Sequence, residues 1–159
     1  MNLERIWAGW RSEYVTGATS EDGCVLCRVL AEDAYVVWRG GLCAAVLNAY
    51  PYTSGHLMLL PVRHVAELED VTSEESAELW HGLTSAVRAL KRGFAADGIN
   101  VGVNLGRVAG AGVPDHFHLH CLPRWSGDTN FMTSVAEARV IPESLPASYD
   151  KLKAAWPDG

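Results

Sequence analysis

Residues 115–124 read Asp115-His116-Phe117-His118-Leu119-His120-Cys121-Leu122-Pro123-Arg124, a run in which imidazole and apolar side chains alternate three times. A period of two is the pattern of a β-strand with one face turned to a core. Phe117, Leu119 and Cys121 are therefore expected to point inward, while His116, His118 and His120 share the opposite face. A single histidine in a strand is ordinarily a satisfied structural residue. Three in one row place costly polar groups side by side, which weakens a strand unless that face meets a ligand.

Working outward, the glycine-rich turn 106–112 separates this strand from another strand pattern at 100–105. Upstream, Ser73 is a good helix N-cap with Glu75 soon after it, and a helix is expected over 73–96. Its Leu79, Leu83, Val87, Leu90 and Phe94 fall on one apolar stripe. Runs at 34–39 and 42–47, divided by Gly40-Gly41, read as a hairpin, and a third run at 56–60 stops at Pro61. A short helix follows Cys27 to about Asp33, and a last helix is expected over 147–156. Five short strands with one long helix after the third predict an α+β domain on a mainly antiparallel sheet.

A chain of 159 residues suits one domain. The expected division is an aromatic arm and loop at 1–22 (with Trp7, Trp10 and Tyr14), a domain at 23–135 and a tail at 136–159. A net charge of -6 argues against a broad cationic face for nucleic acid or an anionic membrane. The start lacks a basic segment followed by an apolar one, and no apolar run approaches the roughly 20 residues that cross a bilayer. A cytoplasmic location is the expectation.

In that compartment the four cysteines are poor disulfide candidates. Cys43 and Cys121 lie in apolar runs and read as small buried hydrophobes. Cys24-Val25-Leu26-Cys27 raises a choice between metal and redox chemistry. A thioredoxin-like pair needs a strand before it and a helix beginning at the first cysteine. Residues 19–23 do not read as a strand, which favours metal, and a tetrahedral ion would need two more ligands.

The pattern His-φ-His-φ-His-φ-φ resembles the signature of the histidine-triad (HIT) family, and the likeness extends from about Gly23 to Arg124. Asn48 stands eight residues before His56 of Ser54-Gly55-His56, and Asn104 stands twelve before His116, as in the family's ribose and α-phosphate segments. The resemblance implies a HIT-like fold, a five-stranded half-barrel with one long and one short helix. It also implies a homodimer joined through the long helix and the strand near Asn100. It further implies that His118 attacks the α-phosphate of an adenine-type nucleotide and carries a histidyl-AMP, its other ring nitrogen bonded to a backbone carbonyl. His120 would donate to a phosphate oxygen or to the leaving bridge oxygen. Asn48, His56, Asn104, Gly110, Gly112 and Val113 would contact the nucleotide with them. The glycine-rich turn suits that role, because its amides can approach phosphate oxygens. Animal members carry Gly-Gln-[Ser/Thr]-Val there, where this chain has Ala111-Gly112-Val113-Pro114, so their leaving-group contacts do not carry over.

Some bacterial members resemble this chain in pairing an N-terminal Cys-x-x-Cys with the histidine of Pro-x-x-His and the first triad histidine. The matching set is Cys24, Cys27, His64 of Pro61-Val62-Arg63-His64, and His116. That implies one structural zinc per chain in a closed Cys2His2 site, with no catalytic metal. Residues 123–132 resemble the bacterial branch that includes diadenosine tetraphosphate phosphorylases, and the segment after Arg124 would shape the choice of leaving group. The residues leave open whether water or phosphate is the acceptor. They also leave open a nucleoside phosphoramidate hydrolase, or a nucleotide-binding protein with incidental hydrolysis.

Overall fold

The computed structural model describes residues 23–128 and 141–157, so the aromatic arm lies outside the described residues. In chain order the elements are α1 (Val25–Ala31), β1 (Val36–Arg39), β2 (Cys43–Leu47), β3 (Leu57–Pro61), α2 (Ser73–Phe94), β4 (Gly98–Val103), β5 (Leu119–Arg124) and α3 (Leu145–Ala155). Short 3-10 turns occur at Leu68–Asp70 and Arg107–Ala109. All strand pairs are antiparallel, in the order β1-β2-β3-β5-β4. This is the α+β architecture expected from the sequence.

The sheet has two differently covered faces, and strand alternation decides which residue meets which. Cys43, Ala45, Leu47, Leu57, Leu59 and Cys121 face α2 and α3 in the main core, joined by Leu79, Leu83, Leu90, Phe94, Leu152 and Ala155. Ala44, Val46, Met58 and Leu60 face the other way and pack on Leu26 and Leu30 of α1. Because α1 is only seven residues long, it covers part of that face. α3, placed in the tail by the sequence, fully buries Leu152 and belongs to the main core.

The long helix begins one residue earlier in its cap than the sequence suggested. Thr72 is the N-cap: Glu75 N–H donates to its Oγ1 at 3.1 Å, and its own N–H donates to Glu75 Oε2 at 2.9 Å. Such a box is worth about 1 kcal/mol. Thr72 wins over Ser73 because its extended backbone turns the hydroxyl toward the first helical amides. Arg63 adds two bonds to the Glu75 carboxylate, both 2.9 Å, and with the Thr72 contacts they hold that carboxyl below its ordinary pKa despite burial. The helix ends at Phe94 rather than 96, since Ala95 adopts a left-handed conformation and Trp125 Nε1 donates to the Phe94 carbonyl at 3.0 Å.

Strand boundaries also shift, by two residues or more at both ends of β4 and β5. β4 covers Gly98–Val103 where 100–105 was expected, paired throughout with β5. β5 starts at Leu119, so His116 and His118 lie just before the strand and only His120 is within it. On the β4 side the ladder starts there because Leu119 meets Val103, the last residue of that strand, while on the other side Leu119 meets Leu59 and β3 runs on to Pro61. Before that point Phe117 N–H donates instead to Val65 O at 2.7 Å. The alternation still holds, with Phe117 in the main core.

Candidate active site

Four histidines, at 56, 116, 118 and 120, are buried along the face that α1 leaves partly uncovered. His118 is the most informative. Its Nδ1 lies 2.7 Å from the backbone oxygen of His116, which can only accept, so Nδ1 carries the proton and Nε2 keeps its lone pair. Burial pushes the His118 pKa below the ordinary histidine value, against the smaller opposing effect of that bond. The side chain is a neutral imidazole at neutral pH, the form in which histidine is a nucleophile. Its ring lies 5.0 Å, centroid to centroid, from that of His120.

His120 pairs with Met58 of β3, and His56 sits two residues before Met58 on the same face. The two imidazoles meet there, His56 Nε2 lying 2.9 Å from His120 Nδ1. Gly55, just before His56, lets the chain pass close under α2. At its φ of +80° a side chain would be strained, and a Cβ would sit 3.1 Å from both Leu90 and Phe94. His56 is fully buried; its Nδ1 accepts from Tyr52 N–H at 3.1 Å and faces Asn48 Nδ2 at 3.4 Å. The Tyr52 ring stands 4.7 Å from the His56 ring and 5.9 Å from that of His120. Asn48 also accepts from Tyr50 N–H through Oδ1 at 2.9 Å, so its side chain organises the loop between β2 and β3.

Asn104 closes the glycine-rich turn, donating from Nδ2 to the Gly110 carbonyl at 3.3 Å. Gly106 and Gly110 there have φ of +79° and +96°. Gly112 is half-buried, and Val113 packs against the α1-side cluster. A cleft of about 390 Å3 at the C-terminal end of α2, lined by Arg92, Phe94, Trp125 and Lys151, includes none of the four buried histidines.

His116 points elsewhere, toward a second cluster. Cys24 Sγ lies 3.3 Å from its Nδ1, Cys27 Sγ lies 3.5 Å from the same nitrogen, and Cys27 Sγ lies 3.4 Å from His64 Nδ1. The four ligand atoms fall within 4.8 Å of one another. A tetrahedral zinc with ordinary Zn–S and Zn–N bonds sets sulfur and nitrogen about 3.6 Å apart, so the donor set and spacing fit a metal ion. The His116 Nε2–H donates to the Pro61 carbonyl at 2.9 Å, which turns the Nδ1 lone pair toward the cysteines. One half of the redox requirement is met, since Cys24 is the N-cap of α1. The thiol chemistry is not: burial and the neighbouring Cys24 push the Cys27 thiol up, the reverse of a reactive thiolate. Cys43 and Cys121 are buried and both pushed up to about 12, as inert core residues are.

The HIT domain family profile matches residues 30–127. The chain belongs to the HIT family. Within it, the chain is 39% identical over 165 residues to an AP-4-A phosphorylase of Mycobacterium tuberculosis, covering 97% of this chain and 85% of that one. It is also 34% identical over 93 residues to the asymmetrical bis(5'-nucleosyl)-tetraphosphatase of Schizosaccharomyces pombe, covering 58% of this chain and 50% of that one. A crystal structure of a Zn-bound histidine triad family protein from Mycobacterium smegmatis superposes with a TM-score of 0.69 at 30% identity, covering 86% of this chain and 94% of that one. The HIT triad residues are brought together as the sequence implied, with one division of labour: His116 faces the cysteines while His118 and His120 face each other. A backbone carbonyl behind His118 was implied by the resemblance, and the structure places it at His116; Tyr52 and the Pro61 carbonyl that holds His116 were not singled out, because a main-chain group carries no residue-specific signal.

Proposed function

We propose that this HIT protein cleaves diadenosine polyphosphates at an α-phosphate through a histidyl-AMP on His118, with inorganic phosphate as the acceptor. The observation that carries this reading is the bond from His118 Nδ1 to the His116 carbonyl, which aims a neutral Nε2 lone pair away from the backbone. Nε2 attacks the α-phosphorus, forming an N–P bond as the bridging P–O bond breaks. His120 delivers its proton to the leaving oxygen, so ATP departs from diadenosine tetraphosphate. Phosphate then attacks the phosphorus, the N–P bond breaks, and ADP is released. Asn104 and the amides of 106–113 stabilise the charge that develops on the phosphate oxygens, and Asn48 and His56 shape the ribose side of the pocket. The 39% identity to an AP-4-A phosphorylase supports phosphate as acceptor.

Phosphorus NMR of diadenosine tetraphosphate incubated with the protein tests this. ADP and ATP are expected when phosphate is present, with little turnover without it. AMP and ATP in the absence of phosphate would make water the acceptor, and intact substrate in both arms would overturn the reading.

Cys24, Cys27, His64 and His116 hold zinc in this reading, and the ion ties chain segments together without entering the reaction. The catalytic domain spans 23–135. It acts as a homodimer, because β4 is a sheet edge whose outer side meets no strand among the described residues, with Val101 exposed on it. No helix among the described residues is long and apolar enough to cross a membrane. Light scattering at micromolar concentration should give the mass of two chains; the mass of one would refute the dimer.

A further inference from the structure

We infer that Tyr52 is a positioning residue that sets the direction of the proton in the His56–His120 pair, and so holds His120 with its proton on Nε2. The inference rests on the reading of His120 as proton donor to the leaving group. Two neutral imidazoles sharing one hydrogen bond have two possible arrangements. In one, His56 Nε2–H donates to His120 Nδ1; in the other, His120 Nδ1–H donates to His56 Nε2. Only the first leaves His120 with a proton on the nitrogen remote from His56.

What selects between them is the far side of His56. A backbone N–H can donate and cannot accept, and the N–H of Tyr52 lies 3.1 Å from His56 Nδ1. The amide nitrogen of Asn48, another donor, lies 3.4 Å from the same atom. Nδ1 must therefore hold a lone pair, which places the His56 proton on Nε2 and the His120 proton on Nε2 in turn. The reverse arrangement would set an imidazole N–H against the Tyr52 N–H inside a fully buried environment.

The Tyr52 side chain secures the same choice by a second route. Its ring lies 4.7 Å from the His56 ring and 5.9 Å from the His120 ring, at 27° to the latter. A half-turn of either imidazole, which would put Cδ2 in the place of Nδ1 and Cε1 in that of Nε2 and so break the pair, has to sweep past that face. The contact also anchors the Tyr52 main chain, within a loop pinned by Asn48 Oδ1 to Tyr50 N–H and by His56 N–H to the Thr53 carbonyl. The aromatic face is the part of Tyr52 that this inference uses, and phenylalanine keeps it.

Long-range nitrogen–proton NMR of histidine-labelled protein at neutral pH reads the tautomers directly and needs no substrate. Both His56 and His120 should be protonated on Nε2 in the unmodified protein. Tyr52→Phe should keep that spectrum and a kcat within about twofold. Tyr52→Ala should mix the His120 tautomers and lower kcat about tenfold or more, with KM changed less than about threefold. A His120 proton on Nδ1 in the unmodified protein would overturn the inference whether or not any variant folds. So would Tyr52→Ala with an unchanged spectrum and kcat, or Tyr52→Phe as impaired as Tyr52→Ala. Nε2 tautomers without cleavage of diadenosine tetraphosphate would count against the proposed activity alone, whereas cleavage with Nδ1 tautomers would count against Tyr52 alone.

Discussion

Replacing His118 with alanine is expected to lower turnover of diadenosine tetraphosphate by at least about a thousandfold. The size of the effect follows from covalent chemistry. If the N–P bond is the route, no neighbouring group can replace Nε2: His120 is tied to His56 through Nδ1, and His116 faces the cysteines. Water would then have to attack the α-phosphorus directly, without the two-step path. The fold should survive, because His118 precedes β5 and takes no part in its ladder. Its removal leaves the His116 carbonyl without that partner, a cost of about 1 kcal/mol. Steady-state kinetics and thermal melting check the two halves. Intact-mass analysis adds a third, since an AMP adduct should form on the unmodified chain and be absent from His118→Ala. Activity above a few per cent in the variant would end the assignment of the nucleophile.

The second large effect is on stability. Protein purified without chelator should carry about one zinc per chain, and Cys24→Ser should lower the melting temperature by roughly 10 °C. The cluster joins α1, the segment after β3 and the lead-in to β5, contacts that close loops of 37, 89 and 92 residues. An ion that clamps such loops removes chain freedom from the unfolded state. If it contributes about 3 kcal/mol, a chain of this size loses about 2–4 °C for each. Turnover should also fall several-fold, because the carbonyl that orients His118 belongs to His116, whose ring would then be held by Pro61 alone. Elemental analysis, calorimetry and kinetics on the same sample decide it. Absence of zinc together with an unchanged melting temperature in Cys24→Ser would remove the site.

Much of this protein was legible in one dimension. Alternation in 116–121 assigned Phe117 and Cys121 to the core and the imidazoles to the other face, and the structure keeps that division even where the ladder has not yet begun. A strand residue's face depends on parity, which the chain carries locally. The stripe of Leu79, Leu83, Leu90 and Phe94 was equally plain, because helical periodicity is local too. The metal cluster was legible by likeness to other spaced ligands, and its four side chains do converge.

Boundaries were less determined. Thr72 and Ser73 are both capping residues, and only the backbone turn at Thr72 decides between them. β5 starts at Leu119, where its partner strand β4 ends at Val103, a fact about a neighbouring strand and not about residues 115–118. The sequence set the last helix in a tail outside the domain at 23–135, yet that helix buries Leu152 against α2 once the two are in contact.

The tautomers are the clearest case of what tertiary structure alone decides. His56 and His120 are 64 residues apart, and although Tyr52 stands only four residues before His56, its identity does not say that its backbone N–H meets the ring. Which nitrogen of a ring carries its proton depends on a backbone donor at Tyr52, a carbonyl at His116 and a carbonyl at Pro61. Every residue other than proline has the same N–H and every residue the same C=O, so residue identity cannot mark the few that matter. Only their position beside a ring, set by the packed sheet, turns a common peptide group into one that orients an imidazole.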